Sequence, residues 1–281
     1  MLRRTFLLAT GAMLGMALSG CSSEQEYHEV RAVDMAEVKA SLEKVAAARV
    51  LLGHQSVGRN ILAGIETLSK EAGVPIRIVE IDGVPPDDGP GLFHSHIGKN
   101  GDPEAKCEAF EQLLVRPERP AYDAALMKFC YVDLKRGANI EAQAMLDRYT
   151  RTVQRLAEQR PDVRLVHVSL PVVSGAPNTL RTKVKRLIGR DIPSDADNAL
   201  RNAFNDKLRE RYGSEPFFDL AALESTYADG SRSSFTRDGK TIYTLAREYT
   251  YDGGHLNEVG QRLAAAELLR TLAAVVSEPA T

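Results

Sequence analysis

Tryptophan is absent from the 281 residues, and aromatic side chains make up only 6% of them. That scarcity argues against a stacking platform for bases and against a broad aromatic groove for sugars. Neither sign of charge is in surplus: 36 Lys and Arg face 38 Asp and Glu, for a formal net charge of −2. Nothing electrostatic therefore points to nucleic acid as a partner. Cysteine is rare, with three residues at Cys21, Cys107 and Cys130. Internal repeats are missing too, and no linker or second core is evident after residue 33. What remains is ordinary globular material, 43% hydrophobic and 26% charged, in a length that suits one large α/β domain or two small ones.

The amino terminus reads as a leader. Arg3-Arg4 precede an apolar run from Phe6 to Leu18 that is too short for a permanent bilayer-spanning helix. The run ends in Leu18-Ser19-Gly20-Cys21, which resembles the lipobox of bacterial lipoproteins. That resemblance implies a signal peptide over residues 1–20, acylation of Cys21 and a polar tether over residues 21–33. It also implies membrane attachment through the lipid on the periplasmic side of the envelope, with Ser22 favouring the outer membrane of a two-membrane host. A plain signal peptide with an incidental cysteine is the alternative. Arg3-Arg4-Thr5-Phe6-Leu7 also resembles a twin-arginine core, so the export route stays open. An exported chain could pair Cys107 with Cys130. One falls in an expected helix and the other near a strand end, in no recognised disulfide spacing, so two buried free thiols are expected.

From Asp34 onward, apolar residues recur alternately at helical and strand spacing. Helices are expected from the Asp34 cap to about Ala47, over Val57–Glu71, Pro103 to about Leu114, Ile140–Gln159, Ala196–Tyr212 and Val259–Val276. Strands are expected at Arg49–Leu52, Ile76–Ile81, Tyr122–Tyr131, Val163–Leu170 and Phe217–Leu220. Asp82–Asp102 reads as a long loop, Pro171–Pro193 as a second irregular stretch holding the basic cluster Arg181–Arg186, and Leu223–Thr250 as a polar excursion. Five apolar strands alternating with helices predict one α/β domain over residues 34–281. Its sheet would be parallel and five-stranded, with helices on both faces.

In such sheets ligands bind beyond the carboxyl ends of the strands. Ser56 follows the first strand, the Gly98–Asn100 loop the second and Asp133 the third, while Asp252-Gly253-Gly254-His255 opens the last helix. A carboxylate three residues before an imidazole can take its Nδ1 proton, leaving Nε2 as a base. Ser56 is the candidate nucleophile, His255 the base and Asp252 its orienter. Each has a plainer reading: Ser56 as a helix cap, Asp252-Gly253-Gly254 as a turn, His255 as a capping residue. His54 would contact substrate or merely cap, and Gln55 and Asp133 are weaker candidates for substrate contact. His94-x-His96 offers two metal ligands without a third, so no metal and no cofactor are expected.

The motif order resembles that of the SGNH (GDSL-type) hydrolases across residues 34 to 276. Asp252-x-x-His255 matches that family's closing block, Ser56 its first block and Gly98, or else Gly101, its second. The resemblance implies a three-layer, flavodoxin-like α/β/α sandwich that hydrolyses acyl esters without a cofactor. It also implies an oxyanion hole from the Ser56 and Gly98 N–H groups. Two departures stand out. Gly53-His54-Gln55-Ser56 is one residue longer than Gly-Asp-Ser, and Val132 occupies the place of the asparagine expected after the third strand. Asn100 is the substitute donor.

The resulting expectation is a lipid-anchored serine esterase removing acyl groups, acetyl foremost, from O-acylated carbohydrate or envelope glycan. A lipase or lysophospholipase with the same triad, an acyltransferase, or a non-catalytic lipoprotein binding a glycan or partner are the rival readings.

Overall fold

The computed structural model describes residues 28–83, 85–86, 89–116, 118, 121–137, 140–177 and 179–277. The leader and Cys21 lie outside these residues. Within them, helices α1 (Met35–Ala46), α2 (Ser56–Ala72), α3 (Pro103–Leu114), α4 (Ala142–Gln159) and α6 (Pro193–Tyr212) match the helical spacings within a few residues. Their ends follow from local chemistry. Asp34 caps α1 by accepting from Ala36 and Glu37 N–H, Asp102 caps α3 ahead of Pro103, and Gly73 closes α2 at φ +66°.

Strands β1 (Arg49–His54), β2 (Ile78–Glu80), β3 (Gly91–His96), β4 (Ala124–Met127), β5 (Arg164–Val168) and β6 (Phe217–Phe218) form one sheet. Its order is β2-β3-β1-β4-β5-β6. Every neighbouring pair is parallel. The sheet has six strands rather than five, because β3 lies inside the stretch read as a loop. Its residues Gly-Leu-Phe-His-Ser-His alternate too little to signal a strand, yet five of the six are buried. β3 supplies the neighbour that makes β1 central.

Side chains of β1 divide between the two faces as the pleat requires. Val50 and Leu52 join a core with α1, α2 and the last helix, α8 (Glu258–Ser277). Leu51 joins the opposite core with α3, α4 and α6. This is a three-layer α/β/α sandwich.

The other two stretches expected to be irregular also hold structure. α5 (Leu180–Leu187) lies within Pro171–Pro193. α7 (Leu220–Ser225) runs into Leu223–Thr250, which also holds a hairpin of β7 (Ser234–Arg237) and β8 (Lys240–Tyr243), turned at Asp238-Gly239 with both residues at positive φ. The tether expectation is also corrected at its end. His28 already stacks on Tyr227 with ring centroids 4.1 Å apart, and the Glu29 carbonyl accepts from Ala228 N–H. Cys107 and Cys130 are buried free thiols.

Candidate active site

β1 lies between β3 and β4, so the chain leaves it to one side of the sheet and later returns on the other. Such a switch point opens a crevice at the carboxyl ends of the strands. Gln55 is the N-cap of α2 but makes no side-chain cap bond, and Ser56 is the first helical residue. Its Oγ is therefore free of capping duty.

The partner comes from the loop before α8. Gly253, at φ +90°, lets the chain fold back on Asp252. Asp252 Oδ1 accepts from the N–H groups of Gly254 (2.9 Å) and His255 (2.7 Å). Its Oδ2 accepts the His255 Nδ1 proton at 2.6 Å. That bond fixes the tautomer, and Nε2 meets Ser56 Oγ at 3.1 Å across 199 residues of sequence. Desolvation opposes the Asp252 charge, but bonds from the His255 N–H and ring and from Gly254 N–H outweigh it. They hold the carboxyl down to about 2.

Several residues that carried no sequence signal hold this loop. Asn60, one turn beyond Ser56, accepts from Leu256 N–H at 3.2 Å and ties the histidine loop to the serine helix. Thr250 Oγ1 accepts from Gly253 N–H and donates to the His255 carbonyl. The Tyr131 ring stands edge-on to His255, and a Cβ at Gly254 would lie 2.9 Å from it. Tyr251 stacks parallel to the imidazole at 6.1 Å and is largely exposed. None belongs to a spacing motif, so only the packing reveals them.

On the other side, the strand registers bring the β3 exit beside Ser56. Ile97 N–H donates to the His54 carbonyl, and Gln55 Nε2 donates to the Ile97 and Gly98 carbonyls at 2.9 and 3.1 Å. Gly98 sits at φ +53° against the backbone of Ala105 and Lys106, where a Cβ would collide. Among the described residues the N–H groups of Ser56 and Gly98 have no acceptor. Asn100 is exposed, and its Oδ1 accepts from Lys106 Nζ at 3.0 Å, which leaves Nδ2 as a spare donor. Cys130 Sγ, from the β4 exit, lies 3.8 Å from Ser56 Oγ.

Two expected substrate contacts lie elsewhere. Asp133 is fully buried, paired with Lys106 Nζ at 2.6 Å and accepting from Gly101 and Cys130 N–H. It braces the Asn100 loop and cannot reach a ligand. His54 is equally buried. Its Nδ1–H donates to the Gln55 carbonyl at 2.8 Å, and its Nε2 then accepts from His94 Nδ1–H at 3.0 Å. Burial, reinforced by His94, His96 and Lys128, outweighs the bond to Gln55 and pushes its pKa down to about 3. The ring is a neutral prop under Gly58, where a Cβ would lie 2.3 Å from His54 Cβ. His96 Nε2 accepts from Arg59 at 2.7 Å. Among the described residues no three His, Cys, Asp or Glu side chains are grouped to hold a metal.

The family described as SGNH domain (fused to AT3 domains) matches residues 23–270. No curated protein matches the sequence. Similar solved structures include a carbohydrate esterase family 3 from Talaromyces cellulolyticus, 12% identical, covering 82% of this chain and 98% of its own, at TM-score 0.47. The periplasmic domain of a Salmonella ser. Paratyphi A lipopolysaccharide acetyltransferase is 13% identical, with coverages of 83% and 87% and TM-score 0.43. A lipase/acylhydrolase from Enterococcus faecalis is 12% identical, with coverages of 81% and 96% and TM-score 0.43.

Proposed function

The chain belongs to the SGNH domain family, and we propose that it is a carboxylic ester hydrolase that removes acyl groups, acetyl foremost, from O-acylated carbohydrate through a Ser56 acyl-enzyme. The observation that carries this reading is the continuous path Ser56 Oγ–His255 Nε2 at 3.1 Å and His255 Nδ1–Asp252 Oδ2 at 2.6 Å.

Ser56 Oγ attacks the ester carbonyl while its proton passes to His255 Nε2, and Asp252 balances the imidazolium that forms. The carbonyl oxygen becomes an oxyanion facing the Ser56 and Gly98 N–H groups and Asn100 Nδ2. Collapse expels the sugar alkoxide, which takes the proton from Nε2. Water then attacks the acyl carbon while His255 Nε2 takes its proton; collapse releases the carboxylic acid, and Nε2 returns the proton to regenerate Ser56 Oγ–H.

A polar mouth supports a sugar over a fatty chain. The cleft of about 550 Å³ beside Asn100 is lined by Lys99, Asn100, Asp102 and Glu104, with Pro103 and Ile140 as its apolar side chains; it adjoins the triad through the Gly98–Asn100 loop and does not itself include Ser56 or His255. A fatty acyl chain would need apolar walls, and a sugar ring needs hydroxyl partners. Export and acylation at Cys21 belong to the same reading, since they would place the domain among envelope glycans.

The test is p-nitrophenyl acetate turnover by the wild type, Ser56→Ala and His255→Ala, with intact-mass detection of an acyl adduct. Each substitution is expected to lower kcat by on the order of 10⁴–10⁶, with an acetyl adduct on Ser56 alone. Equal rates in all three proteins would favour the non-catalytic binding reading.

A further inference from the structure

α5 has no buried residue. At 100° per residue, Leu180, Val184, Leu187 and the following Ile188 fall on one narrow stripe. That stripe faces solvent: Leu180 is 79% exposed, Leu187 86% and Ile188 60%. Helices of soluble domains turn such a stripe toward the core. Here the opposite face is the anchored one. Arg186 binds Asp195 through Nε at 2.7 Å and lies over the Phe235 ring at 4.5 Å. The helix is thus fixed with its apolar side outward.

Charge flanks the stripe on both sides. Thr179–Arg190 contains Arg181, Lys183, Lys185, Arg186 and Arg190 and no acidic residue, in a chain whose net charge is −2. Apart from Arg186, none of these makes an ion pair among the described residues. Arg181 and Lys183 border the leucines on either edge, where long stems can lie along an apolar layer and raise their charges to its rim. The segment leading into α5 also touches the catalytic loop, through Ser174 N–H to the Gly253 carbonyl at 2.8 Å. Five residues later comes the α5 cap, at most about 18 Å away along the chain.

We propose that α5 is an interfacial helix that seats the domain on an anionic phospholipid surface. Leu180, Val184, Leu187 and Ile188 enter the headgroup–acyl boundary, and Arg181, Lys183, Lys185 and Arg190 meet the lipid phosphates. The combination selects this occupant. A polyanionic glycan would use the cations and leave the leucines in water, and an apolar protein face would leave the cations unmatched. Docking sets the mouth of the catalytic crevice near the bilayer, and it holds whatever ester Ser56 accepts.

The chain has no tryptophan, so Leu187→Trp in the full chain gives a single fluorescent reporter on the stripe, with Leu180→Trp as a second. Vesicles of phosphatidylcholine mixed with phosphatidylglycerol are expected to shift emission to the blue, and brominated acyl chains to quench it. Phosphatidylcholine alone should do neither. Adding Arg181→Glu or Lys183→Glu should weaken vesicle binding at least roughly five-fold each, and high salt should act the same way. The proposal is overturned if anionic vesicles leave the emission unchanged, or if neutral vesicles act equally. A blue-shifted spectrum without lipid would mean that another part of the chain or a second copy covers the stripe. A response to soluble polyuronate but not to vesicles would assign the patch to glycan.

Discussion

Asn100 has one polar end occupied and the other free. Its Oδ1 accepts from Lys106 Nζ, which is buried and paired with Asp133. Turning the amide over would bring Nδ2 against an ammonium, so the side chain is held as a donor at the cleft. In the proposed mechanism this donor stands in for the asparagine that the family pattern sets at Val132, which has no polar group. Asn100→Ala is expected to lower kcat about 10²–10³-fold with KM nearly unchanged. Asn100→Asp separates two roles. It retains a partner for Lys106 but presents an acceptor to the oxyanion, so its kcat should be at least as low as that of the alanine variant. Wild-type turnover by Asn100→Asp would reduce Asn100 to a brace. At this scale the sequence was readable where spacing carries the chemistry: Asp252-x-x-His255 before a helix announces itself. It was not readable at His54 and Asp133, because spacing does not say which polar side chain turns inward.

The triad joins two elements, and its precision depends on how closely α2 and α8 approach. Gly64, two turns into α2, faces the first turns of α8. A Cβ there would lie 2.3 Å from the Gln261 carbonyl oxygen and 2.9 Å from Ala265 Cβ. The nearest obstacle is backbone, so the helices must part. Gly64→Ala is therefore expected to destabilise the fold by about 1–3 kcal/mol and to lower kcat by stretching the 3.1 Å Ser56–His255 contact. Urea unfolding and p-nitrophenyl acetate kinetics on the same preparation would check both, and a stable, fully active variant would contradict the close approach. Other elements show why part of the fold was hidden. α1 to α4 follow apolar spacings in plain view, and α1 and α3 also carry capping aspartates. β3 carries two histidines and a serine between Gly- and Pro-rich flanks, and its place between β2 and β1 buries His94 and Ser95 while His96 stays exposed. α5 hid in a basic run because its apolar positions serve the surface.

The whole molecule carries a buried, neutral histidine at the carboxyl end of its central strand, which ties global stability to pH. His54 has a pKa near 3 in the fold, lowered chiefly by burial, against about 6.5 in an unfolded chain. Between these values the unfolded state binds a proton that the folded state refuses. Stability from this group is therefore complete above pH 6.5 and is lost as pH falls toward 3, at up to about 1.4 kcal/mol per pH unit. His94, Lys128 and the other groups around it contribute slopes of their own, so the informative quantity is a difference. His54→Gln removes the titrating ring while keeping a polar side chain near the Gln55 carbonyl and His94. It will be less stable at neutral pH, because the imidazole fills the space under Gly58. Its unfolding free energy should nevertheless fall less steeply than that of the wild type from pH 6.5 to 4.5, by nearly one proton's worth of slope. Asp252 stays ionised throughout this window, with its carboxyl held to about 2. Loss of the triad's orienter therefore cannot mimic the effect. Parallel slopes in the two proteins would mean that the His54 ring takes up its proton without unfolding the strand ends around it, and the buried tautomer pair with His94 would have to be abandoned.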